Sequence, residues 1–303
     1  MARRDDSPDF IEAIARGLDV IRAFGPGQPA MTLAAVAAAS ALPRPTARRI
    51  LLTLEQLGYV RQAAGGGFEL TPRVLDLGMS YVLSRGLWEV ARPHMEALVA
   101  GTGESTSIAQ LDGSDIVYVA RVAVPKIVTL SVTIGTRFPA MQTSLGKVLL
   151  AALPPAEADR VLAEPSRSGI SPRWQPDAAE RAAVLREVRA RGWALTDEQL
   201  AAGIRSVAVP LRDGDGRVIA ALNVNSHAAE TPLDVLVGHH LPLLLHAAGS
   251  ISADWAACHG APHVTMRPTA PTPVKAGAGN NEAKAAEAGD AAGSVAAPAG
   301  EPS

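Results

Sequence analysis

Arg44, Thr46, Arg48 and Arg49 crowd the first half of one short stretch, RPTARRILLTLEQL. Guanidinium groups in such a cluster suit pairing with phosphate oxygens and bidentate contact with the major-groove edge of guanine. Winding the stretch at 100° per residue sends Ala47, Ile50, Leu51, Leu54 and Leu57 to one face, as packing on a core demands. Arg44, Arg48, Arg49 and Leu52 go to the other face, with Thr46 between them. A solvated helix with idle arginines would show the same pattern, so the flanking elements must decide.

Those elements read as a helix-turn-helix. Thr32 is placed to cap a helix over the Ala-rich run Leu33 to Ala39, and Ser40-Ala41-Leu42 breaks it. Pro43 suits the first turn of a second helix running from about Arg44 to Leu57, which Gly58 ends. In this layout the second helix enters the major groove and its N-terminal residues meet the bases. Upstream, Phe10, Ile11, Ile14, Leu18, Val20, Ile21 and Phe24 recur at helical spacing and predict a helix over 10–24, broken by Gly25 to Pro29. Downstream, Tyr59 to Gln62 and Phe68 to Thr71 flank the turn Ala63 to Gly67 as a β-hairpin. Three helices and a hairpin make a winged helix-turn-helix over 8–72, whose glycine-rich tip lets backbone approach a phosphate. The candidate DNA contacts are Thr32, Arg44, Thr46, Arg48, Arg49, Arg61 and Arg73.

Composition bounds the alternatives. The 303 residues suffice for about two domains, and the net charge of −2 means that DNA contact requires local basicity. The single cysteine, Cys258, fits a reducing compartment. MARRDDSPDF lacks an apolar leader core and no run of about 18 apolar residues occurs, so a cytoplasmic chain without a membrane span is expected. No GxSxG, P-loop or HExxH motif occurs, and His239, His240, His246, Cys258, His259 and His263 lack a second ligand cluster. The expectation is a protein that is not an enzyme and holds neither cofactor nor metal.

Residues 73–100 predict a linker helix with a dimer contact, pausing near Arg85-Gly86. Over 101–257 the periodicity becomes mixed. Ser105 to Leu111, Ile116 to Val122, Ile127 to Ile134, Gly192 to Leu195, Ser206 to Pro210 and Val218 to Val224 read as strands. Helices are expected over Lys147 to Leu153, Glu157 to Leu162 and Asp177 to Arg191, with a final pair over Thr231 to Trp255 kinked by Pro242. The fold class is therefore α+β. Residues 258–303, nearly devoid of large apolar side chains over most of their length, predict a disordered tail.

From Ile11 to Trp255 the chain resembles the IclR family of bacterial transcriptional regulators. The resemblance lies in GYV at 58–60 with FELTPRVLDLG at 68–78, RFPAMQTSLGKVLLAALP at 137–154, and GWALTDEQLAAGIRSVAVPLRDGDGRVIAALNVNSHA at 192–228. DIVYVARV at 115–122 with GTRFPAMQTSLGKVLLA is similar to the branch that controls aromatic-acid catabolism through the β-ketoadipate pathway. The resemblance implies a C-terminal effector-binding domain of GAF-like mixed α/β fold, operator DNA and a small organic acid as partners, and dimers that pair into tetramers on DNA. Carried over by motif, the effector site comprises Ser144, Leu145, Thr196, Asp197, Ser206, Asn223 and Asn225. A helix start at 144–146 favours a carboxylate, and an aromatic effector needs flat apolar walls, for which Tyr118, Met141 and Leu145 are candidates. Arg121 or Arg137 could pair with the carboxylate, and each could equally be a structural ion-pair partner. An effector-independent DNA-binding scaffold is the first alternative reading, and a small-molecule enzyme the second.

Overall fold

The computed structural model describes residues 9–25, 28–78, 86–125 and 132–260. The predicted tail beyond 260 and most of the predicted strand over 127–134 lie outside them; Val132, Thr133 and Ile134 belong to no strand.

The N-terminal elements are α1 (Glu12–Ala23), β1 (Ala30–Met31), α2 (Leu33–Ala39), α3 (Arg44–Gln56), β2 (Val60–Gln62) and β3 (Phe68–Leu70). Thr32 caps α2 by accepting from the Ala35 amide at 3.2 Å. The α2–α3 turn is tight because Ala41 takes φ 54°, letting the Leu42 amide reach the Ala37 carbonyl and the Ala41 amide reach Ala38. This is the Schellman arrangement with alanine where glycine is usual. Val20, Met31, Val36, Leu42, Ala47, Leu51, Leu54 and Val60 bury themselves together beneath α3. β1, which the sequence reading missed, pairs with β3 to give the order β1-β3-β2. Gly67, at φ 93°, lies so close to Met31 that a Cβ would strike its carbonyl oxygen.

After a 3-10 turn (Pro72–Val74), the second set begins with α4 (Leu87–Thr102). Its strands are β4 (Ser105–Asp112), β5 (Asp115–Val122), β6 (Arg137–Pro139), β7 (Ala194–Asp197), β8 (Ile204–Arg212) and β9 (Val218–His227). They form one antiparallel sheet in the order β6-β5-β4-β9-β8-β7. Alternation assigns the faces: Val207, Val209 and Leu211 enter one apolar cluster, whereas Ala208 enters the other. The first cluster is closed by α4, through Leu87, Ala91, Met95 and Leu98, and by the last helix. The segment expected as a linker is thus, over Leu87–Thr102, a layer of this core. The second face carries α5 (Ser144–Ala152), α6 (Pro155–Leu162) and α7 (Ala178–Arg191). Residues 144–151 of α5 are all buried, as befits a helix lying inside the domain.

The expected final helix pair is one helical run: α8 (Leu233–Val235), a π-helical turn (Leu236–His240) and α9 (Leu241–Gly260). Pro242 lacks the amide that would bond back to Gly238, and the wider turn just before it absorbs the defect without a break. Leu233–Cys258 is long and apolar enough, by length and composition, to cross a membrane. Leu236, Leu244, Ala248, Ile251 and Trp255 belong to the sheet's apolar cluster, which accounts for that composition.

Candidate functional site

On α3, Arg44, Arg48 and Arg49 are exposed, Thr46 is half-buried, and Ala47, Leu51 and Leu54 are buried. The three guanidinium groups have no side-chain partner among the described residues. Arg61 is committed elsewhere: it pairs with Glu69, directly opposite on β3. Arg73 lies 5.4 Å from the centre of the Tyr59 ring. Thr32 is engaged as the cap of α2.

The second site is a cavity of about 70 Å³, measured as the space open to the centre of a water molecule. At about 10–15 Å³ of such space per water, it has the size for a small molecule. Across its floor runs a polar row fixed by strand register, with Thr196 opposite Ser206, Ser206 opposite Asn225 and Asn225 opposite Ser105. All four line the cavity. One step along β4, Ser107 faces Asn223 on one side and Arg121 on the other. Asn223 accepts from the Ser107 amide at 3.1 Å and donates to Asn225 at 3.1 Å, while Arg121 donates to Ser107 Oγ at 3.1 Å.

A β-bulge puts Arg121 there. Ile108 pairs with Ala120 but Ala109 pairs with Tyr118, leaving Val119 as an extra residue. Tyr118 and Arg121, three apart, would face opposite ways in a regular strand; with the bulge, both line the cavity. Tyr118 meets Phe138 edge-on at 5.8 Å, making an aromatic wall. Burial pushes the Tyr118 hydroxyl up to about 12, opposed by the charge of Arg121 and a hydrogen bond with Asn225. Burial likewise lowers Arg121, and the guanidinium has no ion-pair partner among the described residues.

The roof is the start of α5. Thr143 caps it by accepting from the Gly146 amide at 3.0 Å, and Ser144 shares a 2.7 Å hydrogen bond with Ser206 of the floor. A Cβ on Gly146 would overlap the Ala140 carbonyl, so only glycine lets the helix start this close to the preceding turn. Behind the wall, the buried Lys147 donates to the Leu195 carbonyl at 3.0 Å and to Gln199, with Nζ 5.0 Å from the centre of the Trp174 ring. Burial, reinforced by Arg191 and opposed by Glu187, lowers it to about 8.

Of the sequence-predicted residues, Tyr118, Thr196, Ser206, Asn223 and Asn225 line the cavity, and Ser144 stands behind Ser206. Met141 and Leu145 do not line it; both are sealed in the apolar cluster beneath. Asp197, of opposite strand parity to Thr196, pairs with Arg205 instead. Arg137, one of the two candidate cations, is held by Asp112 and Asp115. Glu104, Ser105, Phe138, Gln142, Thr143, Leu200, Ile204, Ser226 and His227 also line the cavity and were missed. Register would have revealed Ser105, but register is not visible in one sequence. Thr196 Oγ1 and Ser226 Oγ are buried there without a hydrogen-bond partner among the described residues.

Residues 13–64 match the description "IclR helix-turn-helix domain", and residues 79–253 match "Bacterial transcriptional regulator IclR C-terminal". The chain belongs to the IclR family of bacterial transcriptional regulators. Members of this family are DNA-binding regulators with an effector-binding C-terminal domain, and the relatives are named as regulators, repressors or activators of transcription, not as enzymes. The IclR-family chain is 37% identical over 242 residues to the Pca regulon regulatory protein of Pseudomonas putida, covering 80% of this chain and 83% of that one. It is 33% identical over 248 residues to the p-hydroxybenzoate hydroxylase transcriptional activator of Acinetobacter baylyi, covering 80% and 91%. Among solved structures, an IclR homologue from Microbacterium hydrocarbonoxydans complexed with 4-hydroxybenzoate matches with a TM-score of 0.69 at 26% identity, covering 81% and 99%. A transcriptional regulator from Rhodococcus sp. RHA1 matches with a TM-score of 0.72 at 46% identity, covering 82% and 100%.

Proposed function

We propose that this IclR-family regulator binds operator DNA through α3 under the control of a small organic acid held in the cavity. The acid is of the aromatic or β-ketoadipate-pathway class. The observation that carries the reading is Arg121, a half-buried cation in a cavity wall without an ion-pair partner among the described residues. A carboxylate is the ligand group that compensates such a charge. The start of α5, which meets the cavity at Thr143, adds the positive end of its dipole. The Tyr118–Phe138 pair supplies an apolar wall for a ring. The relatives' names support the acid class, since one concerns p-hydroxybenzoate hydroxylase and a structural neighbour holds 4-hydroxybenzoate.

On DNA, Arg44, Thr46, Arg48 and Arg49 meet bases and phosphates from α3, with Thr32, Arg61 and Arg73 at the edge of the contact. The protein works in the cytoplasm as a homodimer that pairs into a tetramer on its operator. Residues 8–72 are the DNA-binding domain, 73–100 carry linker and dimer contacts, the effector domain runs from 101 to the end of α9 at Gly260, and the remainder is a tail. Effector binding changes the spacing of two recognition helices across the dimer.

Fluorescence anisotropy on the DNA flanking the protein's own gene tests the reading, with and without protocatechuate, 4-hydroxybenzoate and β-ketoadipate. Specific binding altered by one of these acids is the expected result. Specific binding altered by none would leave an effector-independent DNA-binding protein. Absence of specific binding even at low salt, where phosphate contacts are strongest, would remove α3 from the DNA.

A further inference from the structure

A larger recess lies at the other end of α5, away from the cavity that Thr143 meets. Its volume is about 780 Å³ by the measure that gives the first cavity about 70 Å³. That falls within the range of about 300–1,000 Å³ usual for ligand pockets. Its floor is apolar: Leu149 of α5 and Val188 of α7 are buried, and Val218 and Ile219 of β9 are half-buried. Its exposed rim is basic, formed by Arg189 of α7, Arg212 of β8 and Arg217 from the turn before β9. No carboxylate lines it among the described residues.

Two of the three guanidinium groups are fixed in place without being neutralised. Arg189 donates from Nε to the Ala151 carbonyl at 2.8 Å and from Nη2 to the Leu153 carbonyl at 3.0 Å, closing off the C-terminal end of α5. Arg212 donates from Nη1 to the Gly216 carbonyl at 2.8 Å. Neither has an ion-pair partner among the described residues, whereas Arg217 lies 3.5 Å from Asp215. Carbonyl partners orient a guanidinium but leave its charge uncompensated, and a planar fork held this way suits a carboxylate. Gln110, the remaining polar side chain of the lining, donates to the Ile219 carbonyl at 3.0 Å.

We propose that this recess is a second ligand site, taking an amphipathic carboxylic acid whose acyl chain lies on the apolar floor and whose carboxylate is held at the rim by Arg189 and Arg212. Charge complementarity selects the anion. The volume and the apolar floor select a body longer than the single ring that suits the first cavity. The site stands independently of the reading of that cavity. Arg189 holds the last carbonyls of the helix whose first turn roofs the first cavity, so occupants of the two sites bear on one helix.

Isothermal titration calorimetry on the full-length protein tests this with dodecanoate, kept below its micelle concentration, and with dodecyltrimethylammonium, which has the same chain and the opposite charge. The wild type should bind one dodecanoate per chain, about tenfold or more tightly than the cation. Arg189→Gln and Arg212→Gln should each weaken dodecanoate about tenfold. Ala152→Phe, which fills the recess from the exposed end of α5, should abolish its binding. Thermal melts of each variant establish that it is folded. Arg212 bonds to Gly216 of its own hairpin, so Arg212→Gln keeps the test decisive if a change at α5 disturbs folding. No binding by the wild type, equal affinity for the two probes, or undiminished affinity in folded Arg212→Gln would overturn the proposal. So would a change in the sedimentation coefficient of the ligand-free protein on Arg212→Gln, since a second copy of the chain would then be the occupant.

Discussion

Arg44, Arg48 and Arg49 come from six consecutive positions on one exposed helix face. The cavity's polar groups come from residues 104 to 227, on five strands and a helix start, and most are buried. In the first region the chemistry is local, without a side-chain partner among the described residues and interchangeable in detail, because phosphate attraction acts through charge and distance. In the second, most groups are held by one another, so function there depends on packing and register before it depends on charge. The two regions should therefore fail differently when perturbed.

Gly146→Ala should have the largest effect. The added methyl has nowhere to go but into the Ala140 backbone, so the start of α5 must move. A loss of about 3 kcal/mol or more in urea unfolding is expected, together with loss of acid binding. A variant with an unchanged midpoint and intact acid binding would show that the cavity is less dependent on packing than its geometry implies.

Next comes Lys147→Met, read through pH. Lys147 releases its proton near pH 8 in the folded chain and near 10.5 when exposed. Between those values the unfolded chain binds the extra proton, so this group's contribution to stability rises with pH. It is flat below about pH 8. Wild type minus Lys147→Met should climb by on the order of 3 kcal/mol from pH 7.5 to 10.5 in urea midpoints. A pH-independent difference would mean that the amine is hydrated in solution.

Arg48→Ala is the smaller and more selective change. It should weaken operator binding by about 1–3 kcal/mol and leave acid affinity as it was. If both affinities fell together, the contrast between a local surface site and a buried one would collapse.

The same contrast explains what the sequence could reveal. Thr32 as cap, the break at residues 40–42, Pro43 at the helix start and the arginine face of α3 are all consequences of neighbours within a few positions, so α2 and α3 were legible almost to the residue. Family motifs pointed to Thr196, Ser206, Asn223 and Asn225, and strand parity supported the asparagines. Asp197 went astray because adjacent strand residues face opposite ways, and the motif alone does not say which one turns inward. Arg121 and Arg137 could not be separated without knowing that Asp112 and Asp115 close on Arg137. β1 and β6 were too short to leave a pattern, and the last helix kept going through Pro242 because a π turn absorbed the missing amide.

The extra residue in β5 has a consequence for how such chains diverge. Removing Val119 would leave Ala120 opposite Ile108, Tyr118 opposite Ala109 and Arg121 opposite Ser107, all in regular antiparallel pairing. Both cavity residues would still point inward, now two positions apart. Between an aromatic wall and a cation, then, a lineage is free to gain or lose one residue without altering what its ligand meets. An alignment that refuses a gap at this spot would match the cation of one relative to an apolar residue of another and mistake a conserved pocket for a changed one.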